Sequence, residues 1–135
     1  MALTDTLQIS AAGMRVQGDR LRVVAENIAN AESTASTPGG TPYRRKTITF
    51  ENVLNKELGI QTVAVSKRGV DMSPFNKKYE PSHPAADAQG YVQYPNVNTI
   101  VEMVDMREAR RAYEANINVV EVSKSMLSQT LQLLK

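Results

Sequence analysis

The sequence predicts a mainly α-helical protein, with two long terminal helices forming an antiparallel coiled-coil-like pair and a small β/irregular insert between them. Three observations predict it. All six prolines (Pro38, Pro42, Pro74, Pro81, Pro84, Pro95) lie between residues 38 and 95 of the 135-residue chain. Both proline-free ends carry apolar residues at heptad spacing, whereas the middle has two short alternating runs. Because proline costs about 3 kcal/mol in a helix interior, these observations divide the chain into an N-terminal helix within 1–32, an insert over 33–96 and a C-terminal helix within 97–135.

The N-terminal stripe runs Leu3, Leu7, Ser10, Met14, Gln17, Leu21, Val24, Ile28, stepping by four and three as a helix seam does. Gly13 and Gly18 interrupt the helix, each at about 1 kcal/mol against Ala. They allow a bend or the close approach of another backbone. Asn30 reads as the stop, since Asn favours helix ends.

In the insert, residues 33–42 are rich in Ser, Thr, Gly and Pro and read as a loop. Ile48 and Phe50 alternate on a first strand, and Val63 and Val65 on a second over 60–65. Between them, 51–58 reads as a short helical turn. Residues 70–90, broken by Pro74, Pro81 and Pro84, read as extended and irregular.

The C-terminal stripe is Met103, Met106, Arg110, Tyr113, Ile117, Val120, Lys124, Leu127, Leu131, Leu134. No Gly or Pro follows Pro95, so one unbroken helix is expected. Thr99-Ile100-Val101-Glu102 has the form of a capping box, in which hydroxyl and carboxylate each accept a backbone N–H.

Composition narrows the function classes. Aromatics are 5% of the chain, with no Trp, so apolar content rests on aliphatic residues suited to helix packing. The net charge of +2 gives no strong field for nucleic acid or an anionic surface. No cysteine is present, which excludes disulfides and thiol chemistry. No 18-residue apolar run exists, so no direct membrane insertion is expected. The start, Met1-Ala2-Leu3-Thr4-Asp5, lacks the charged and apolar regions of a secretory signal peptide.

No catalytic, cofactor-binding or metal residue is assigned, and no enzyme activity is expected. His83 is the sole histidine, flanked by Ser82 and Pro84, and reads as a loop residue. Arg44-Arg45-Lys46 is the densest charge; ion pairing or solvation is preferred to phosphate binding, with Arg44 and Lys46 on one strand face and Arg45 on the other. Met72, Met103 and Met106 read as packing rather than soft-metal ligands. Glu102, Asp105, Glu108 and Glu114 interleave with Arg107, Arg110 and Arg111 as ordinary helix-surface pairs. Arg110 and Lys124, set in an apolar stripe, either lay their stems on it and reach solvent or meet acids of a neighbour.

A monomeric hairpin would bury one stripe per helix. Yet Ile9, Val16 and Val23 form a second seven-residue series, and Ile100, Val104, Val119 and Val122 widen the C-terminal apolar face. One partner helix cannot cover both, and surplus apolar surface marks association. Packing between subunits is therefore preferred, with a soluble helical binding module (a chaperone or adaptor) as the alternative and an enzyme a distant third.

Ser10-Ala11-Ala12-Gly13-Met14 followed by Arg20 to Ala31, with Asn27-Ile28-Ala29-Asn30 at its centre, resembles the N-terminal pattern of flagellar rod and hook proteins. Residues 33–46, 83–98 and 102–106 running into Arg111-Ala112-Tyr113-Glu114-Ala115-Asn116 resemble the proximal rod protein C type of that family. The likeness spans nearly the whole chain and is weakest over 51–70.

The resemblance implies a structural subunit of the proximal rod, with terminal helices packed around a channel in a hollow, torque-transmitting tube. It implies export without a cleaved signal peptide through the flagellar apparatus, and assembly on the periplasmic side of the basal body. Implied partners are other copies of the chain, other proximal and distal rod proteins, the export-gate and MS-ring adaptor protein, and the export apparatus in transit. Candidate interface residues are Leu3, Leu7, Met14, Leu21, Val24, Asn27, Ile28 and Asn30 on the N helix. On the C helix they are Met103, Met106, Arg110, Tyr113, Asn116, Ile117, Val120, Lys124, Leu127, Leu131 and Leu134. Arg44, Arg45 and Lys46 are candidate contacts of the insert, and Asn27, Asn30 and Asn116 are candidates for fixing helix register.

Overall fold

The computed structural model describes residues 2–135. Its elements run α1 (Ala2–Ala29), β1 (Lys46–Asn55), β2 (Ile60–Val70), β3 (Asn76–Tyr79), β4 (Tyr91–Tyr94) and α2 (Thr99–Leu133). Two terminal helices thus flank a small β insert, as expected. The 28 and 35 residues of α1 and α2 correspond to about 42 and 52 Å of helix. Asn30 follows α1, and its N–H still donates to the Glu26 carbonyl at 3.0 Å.

β1 and β2 form one two-stranded sheet, β3 and β4 another. The helical turn expected over 51–58 is absent. β1 continues to Asn55, and only 56–59 turn before β2. Gly59, at φ +67°, supplies the left-handed residue that closes this connection, and its N–H donates to the Asn55 carbonyl at 2.8 Å. β2 also outruns the expected strand by five residues, reaching Val70.

The expectation of irregular chain over 70–90 holds only in part. β3 lies within it and pairs antiparallel with β4, Tyr79 opposite Tyr91 and Asn76 opposite Tyr94. One face is closed by Val92, which is fully buried. On the other, the Tyr79 and Tyr91 rings meet edge to face at 5.3 Å. These strands escape pattern reading because four-residue segments such as Asn-Lys-Lys-Tyr carry too little alternation.

The start of α2 also differs from expectation. Asn98, not Thr99, is the cap, its Oδ1 accepting the N–H groups of Ile100 (3.1 Å) and Val101 (3.4 Å). Glu102 is not turned back to the helix start, because its carboxylate is engaged by Arg45.

The chain divides into two compact units. The first comprises Met1–Leu21, Ile48–Lys67 and Arg107–Lys135; the second comprises Arg22–Thr47 and Arg68–Met106. Among the described residues, the first unit buries Val16 and Ala109 as its apolar core, with Ser10 and Ser123. The second buries Val24, Ala85, Val92 and Val97, with Asn27 and Glu102 among them. No described helix is long and apolar enough to cross a membrane.

Candidate subunit interface

In the first unit, α1 and α2 touch through small and polar residues. A Cβ on Gly13 would lie 2.8 Å from Asn116 Nδ2, so the missing side chain is what admits Asn116. The Arg20 guanidinium donates to Glu108 at 3.4 Å. Ser10, Ala109 and Ser123 are buried. On α2, Glu102, Ala109, Asn116 and Ser123 recur every seven residues, a seam of modest side chains.

The large apolar residues of α2 are elsewhere. Leu127 is 42% exposed, Leu131 55% and Leu134 78%. Met126, Val119 and Val122 are exposed as well. Of the predicted C-helix residues in this unit, Tyr113, Asn116, Ile117 and Val120 are half-buried, while Arg110 and Lys124 are exposed. Arg110 lies 3.9 Å from Glu114 one turn on, a surface pair worth little. Leu3, Leu7, Met14 and Leu21 of α1 are half-buried.

In the second unit, the predicted residues divide differently. Val24 is buried, Ile28 and Met106 are half-buried, and Met103 is 52% exposed, beside the exposed Ile100, Val101 and Val104. Asn30 serves locally, its amide donating to the Glu26 carbonyl at 2.9 Å and accepting from Ser33 Oγ at 3.0 Å.

Asn27 sits at the centre of a buried polar cluster. Its Nδ2 donates to the Lys46 carbonyl at 3.0 Å, and its Oδ1 accepts the Lys46 N–H at 2.8 Å and the Tyr43 hydroxyl at 2.7 Å. Nδ2 also lies 3.4 Å from a Glu102 oxygen. One amide thus holds the first residue of β1 by both backbone groups, as a neighbouring strand would.

Glu102, 1% exposed, is paired with Arg45, whose other nitrogen lies 3.5 Å from Asp71. Glu102 is therefore not the ordinary surface partner expected from its helix. The hydrogen bond to Glu102 raises the Arg45 pKa further above its ordinary value. Lys46 donates to Glu26 at 2.9 Å; that bond lowers the Glu26 pKa and raises that of Lys46. Burial raises the Tyr43 hydroxyl. Arg44 stacks over Phe75, 4.2 Å from the ring centroid, and donates to the Asp71 carbonyl at 3.1 Å.

All three predicted insert contacts are thus engaged within the second unit. Arg44 and Arg45 precede β1 rather than alternating along it, which replaces the two-faced strand expected from sequence. His83 lies in a loop, as expected, where its Nδ1 accepts the Ala85 N–H at 3.0 Å. Among the described residues no group of three or more His, Cys, Asp or Glu is placed to hold a metal.

Sequence reasoning missed Ala109, Ser123 and the Glu102–Arg45 pair, and set Ser10 in the N-terminal stripe without making it a candidate contact. A search for large apolar residues passes over a seam built from small ones. The seven-residue recurrence through Ala109 and Ser123 was the available signal.

Comparison with known proteins points one way. Residues 88–133 match the family model of the flagellar basal body rod FlgEFG protein C-terminal region. The chain is 49% identical over 133 residues to the flagellar basal-body rod protein FlgC of Agrobacterium fabrum, covering 98% of this chain and 96% of that protein. It is 41% identical to FlgC of Escherichia coli O6:H1, covering 98% of each chain. With FlgC of Bacillus subtilis it shares 37% identity, covering 98% of this chain and 99% of that one.

Proposed function

This chain belongs to the family of flagellar basal-body rod proteins FlgC, and we propose that it builds the rod through its terminal helices. It is a structural subunit of the basal body and not an enzyme, and it assembles with other rod components. Within each copy α1 and α2 form an antiparallel pair. In the first unit, moving along α1 from Gly13 to Arg20 moves back along α2 from Asn116 to Glu108, which supports that direction.

The observation that carries the reading is the mismatch between seam and stripe. Small residues occupy the helix contact, leaving Leu127, Leu131 and Leu134 exposed. Exposed aliphatic area on this scale is stabilised when neighbours cover it, at roughly 25 cal/mol per Å². A contact between unlike surfaces that does not close propagates a helical filament. Many such contacts give a hollow tube able to transmit torque.

Met103, Met106, Arg110, Tyr113, Ile117, Val120 and Lys124 extend the same face, and Leu3, Leu7, Met14, Leu21 and Ile28 supply its counterpart on α1. The insert, residues 33–96, meets neighbours through loops and strand edges. Partners are further copies, other proximal and distal rod subunits, and the adaptor joining the rod to the export gate and MS ring. The subunit passes through the export apparatus and assembles on the periplasmic side.

Leu127→Asp and Leu21→Asp test this in the native organism. Expression and export are expected to continue, while electron microscopy of basal bodies finds the MS ring without a rod. Complete rods and normal swimming would overturn the reading and favour a self-contained hairpin module.

A further inference from the structure

We propose that the free edge of β3 takes an acidic, extended segment of a different protein as a third strand of the β3–β4 sheet. The inference rests on the reading that the insert meets neighbours through strand edges, and it names one edge and the chemistry of its occupant.

β3 and β4 form a sheet of two strands. Glu80, just past β3, donates its N–H to the Gly90 carbonyl at 2.9 Å. In the antiparallel register that sets Tyr79 opposite Tyr91, this makes Glu80 and Gly90 a hydrogen-bonded pair. Such pairs alternate along a ladder, so Asn76 and Lys78 turn their backbone groups to β4, while Lys77 and Tyr79 turn theirs outward. At Tyr91 the outer edge of β4 is closed by its own chain. The Asp87 N–H donates to the Tyr91 carbonyl at 2.9 Å, and Asp87 Oδ1 accepts the Tyr91 N–H at 3.0 Å. Among the described residues nothing does the same for the backbone of Lys77 or Tyr79, and all four residues of β3 are exposed. An unpaired strand edge is a template for another strand.

The side chains along that edge select the occupant. Tyr79 and Tyr91 pack edge to face, yet Tyr79 is 65% and Tyr91 43% exposed, which leaves apolar ring surface for one further side chain. Lys77 shares their face by alternation. Lys78 lies on the other face, its Nζ 4.5 Å from the centroid of the Tyr94 ring. The Glu80 carboxylate is engaged by the Tyr94 hydroxyl at 3.0 Å, and Asp87 by backbone N–H groups. An antiparallel strand laid on this edge thus meets Tyr79 and then a lysine on each face in turn, which an apolar residue followed by two adjacent acids matches. This chain contains no two adjacent acids. A second copy of β3 would set lysine against lysine, which is how an edge lysine discourages self-pairing. The occupant therefore belongs to another protein.

The probe is the peptide acetyl-Thr-Val-Glu-Asp-Val-Thr-amide, titrated into the isotope-labelled full chain and followed by NMR. The amides of Lys77 and Tyr79 are expected to shift and to gain protection from exchange, while that of Lys78 keeps its rate. Lys77→Glu with Lys78→Glu, both exposed, is expected to weaken binding by about tenfold or more. A peptide with Lys-Lys in place of Glu-Asp should then bind that variant in preference to the parent chain. N-methylation of the first Val, opposite Tyr79, should abolish binding, whereas N-methylation of the Glu opposite Lys78 leaves it, because only the first N–H points at β3. Equal binding of the two methylated peptides overturns strand addition in favour of plain charge attraction. No shift of the Lys77 and Tyr79 amides at about 10 mM peptide overturns the proposal outright. Complete rods in a host carrying the double variant sink instead the underlying reading that strand edges of the insert meet neighbours, so the two failures are distinguishable.

Discussion

The two units solve the same problem in opposite ways. The second holds Asn27 and Glu102 among Tyr43, Arg45 and the first residue of β1, and each of these two buried polar groups has a partner in the same unit. The first brings its helices together at Gly13 and Asn116, buries Ser10, Ala109 and Ser123, and leaves Leu127, Leu131 and Leu134 at the end of α2 in solvent. Burying small residues contributes little hydrophobic free energy, since the gain follows the apolar area removed from water. The second unit is thus built to be stable within one chain. On the proposed assembly, the first is completed by neighbours.

Hydrogen exchange on a dilute monomer would break or sharpen that contrast most. Amides of α2 over 124–133 are expected to exchange with an opening cost near zero, while those of β4 and of α1 near Asn27 approach the global value. Circular dichroism should accordingly report less helix than the 28 and 35 residues of α1 and α2. Full helicity in a proven monomer would show that the first unit needs no neighbours.

Arg45→Ala attacks the second unit directly. It leaves the Glu102 carboxylate buried opposite an alanine, a loss of about 3–5 kcal/mol by analogy with other broken buried pairs. Urea unfolding of the monomer should lose a large part of its midpoint. An unchanged midpoint would mean that the cluster is ornamental and the apolar core alone holds the unit.

Gly13 tests how closely the helices of the first unit must approach. Gly13→Ala gains about 1 kcal/mol of helix propensity but forces the Asn116 amide aside, so a net change within about 1 kcal/mol is expected. Gly13→Leu cannot be accommodated by one side-chain shift, and rod assembly should be lost while the second unit still unfolds normally. Assembly of Gly13→Leu at wild-type yield would show that helix spacing is not set here.

The smallest effect is acid sensitivity, and it belongs to the second unit. Glu26 is held below its ordinary value near 4.5 by Lys46; Asp71 is held below 3.8 by the Ser73 hydroxyl and Asp87 by the Tyr91 N–H. In each case the unfolded chain binds protons more readily, so stability is present above the ordinary carboxylate range and declines as pH falls through the lowered values. Lys46, raised above 10.5, adds a contribution that is lost as pH rises through its folded value. A urea midpoint that stays flat from neutral pH down to pH 2 would contradict this.

Much of the molecule was legible from sequence because the signals are local. Proline disrupts a helix interior whatever surrounds it, so its confinement to 38–95 located the insert without any tertiary contact. The heptad steps marked both helices, and the motifs from Asn27 to Asn30 and from Arg111 to Asn116 marked the family. What sequence misjudged were features whose meaning depends on a distant partner. Thr99 and Glu102 have capping-box spacing, but Arg45 claims Glu102 and Asn98 takes the cap. The tertiary structure alone decided which face of each helix turns toward the other. It chose the seam through Gly13, Asn116 and Ala109 over the stripe of leucines, because close approach depends on side chains that are absent or small, and periodicity counts only those that are large.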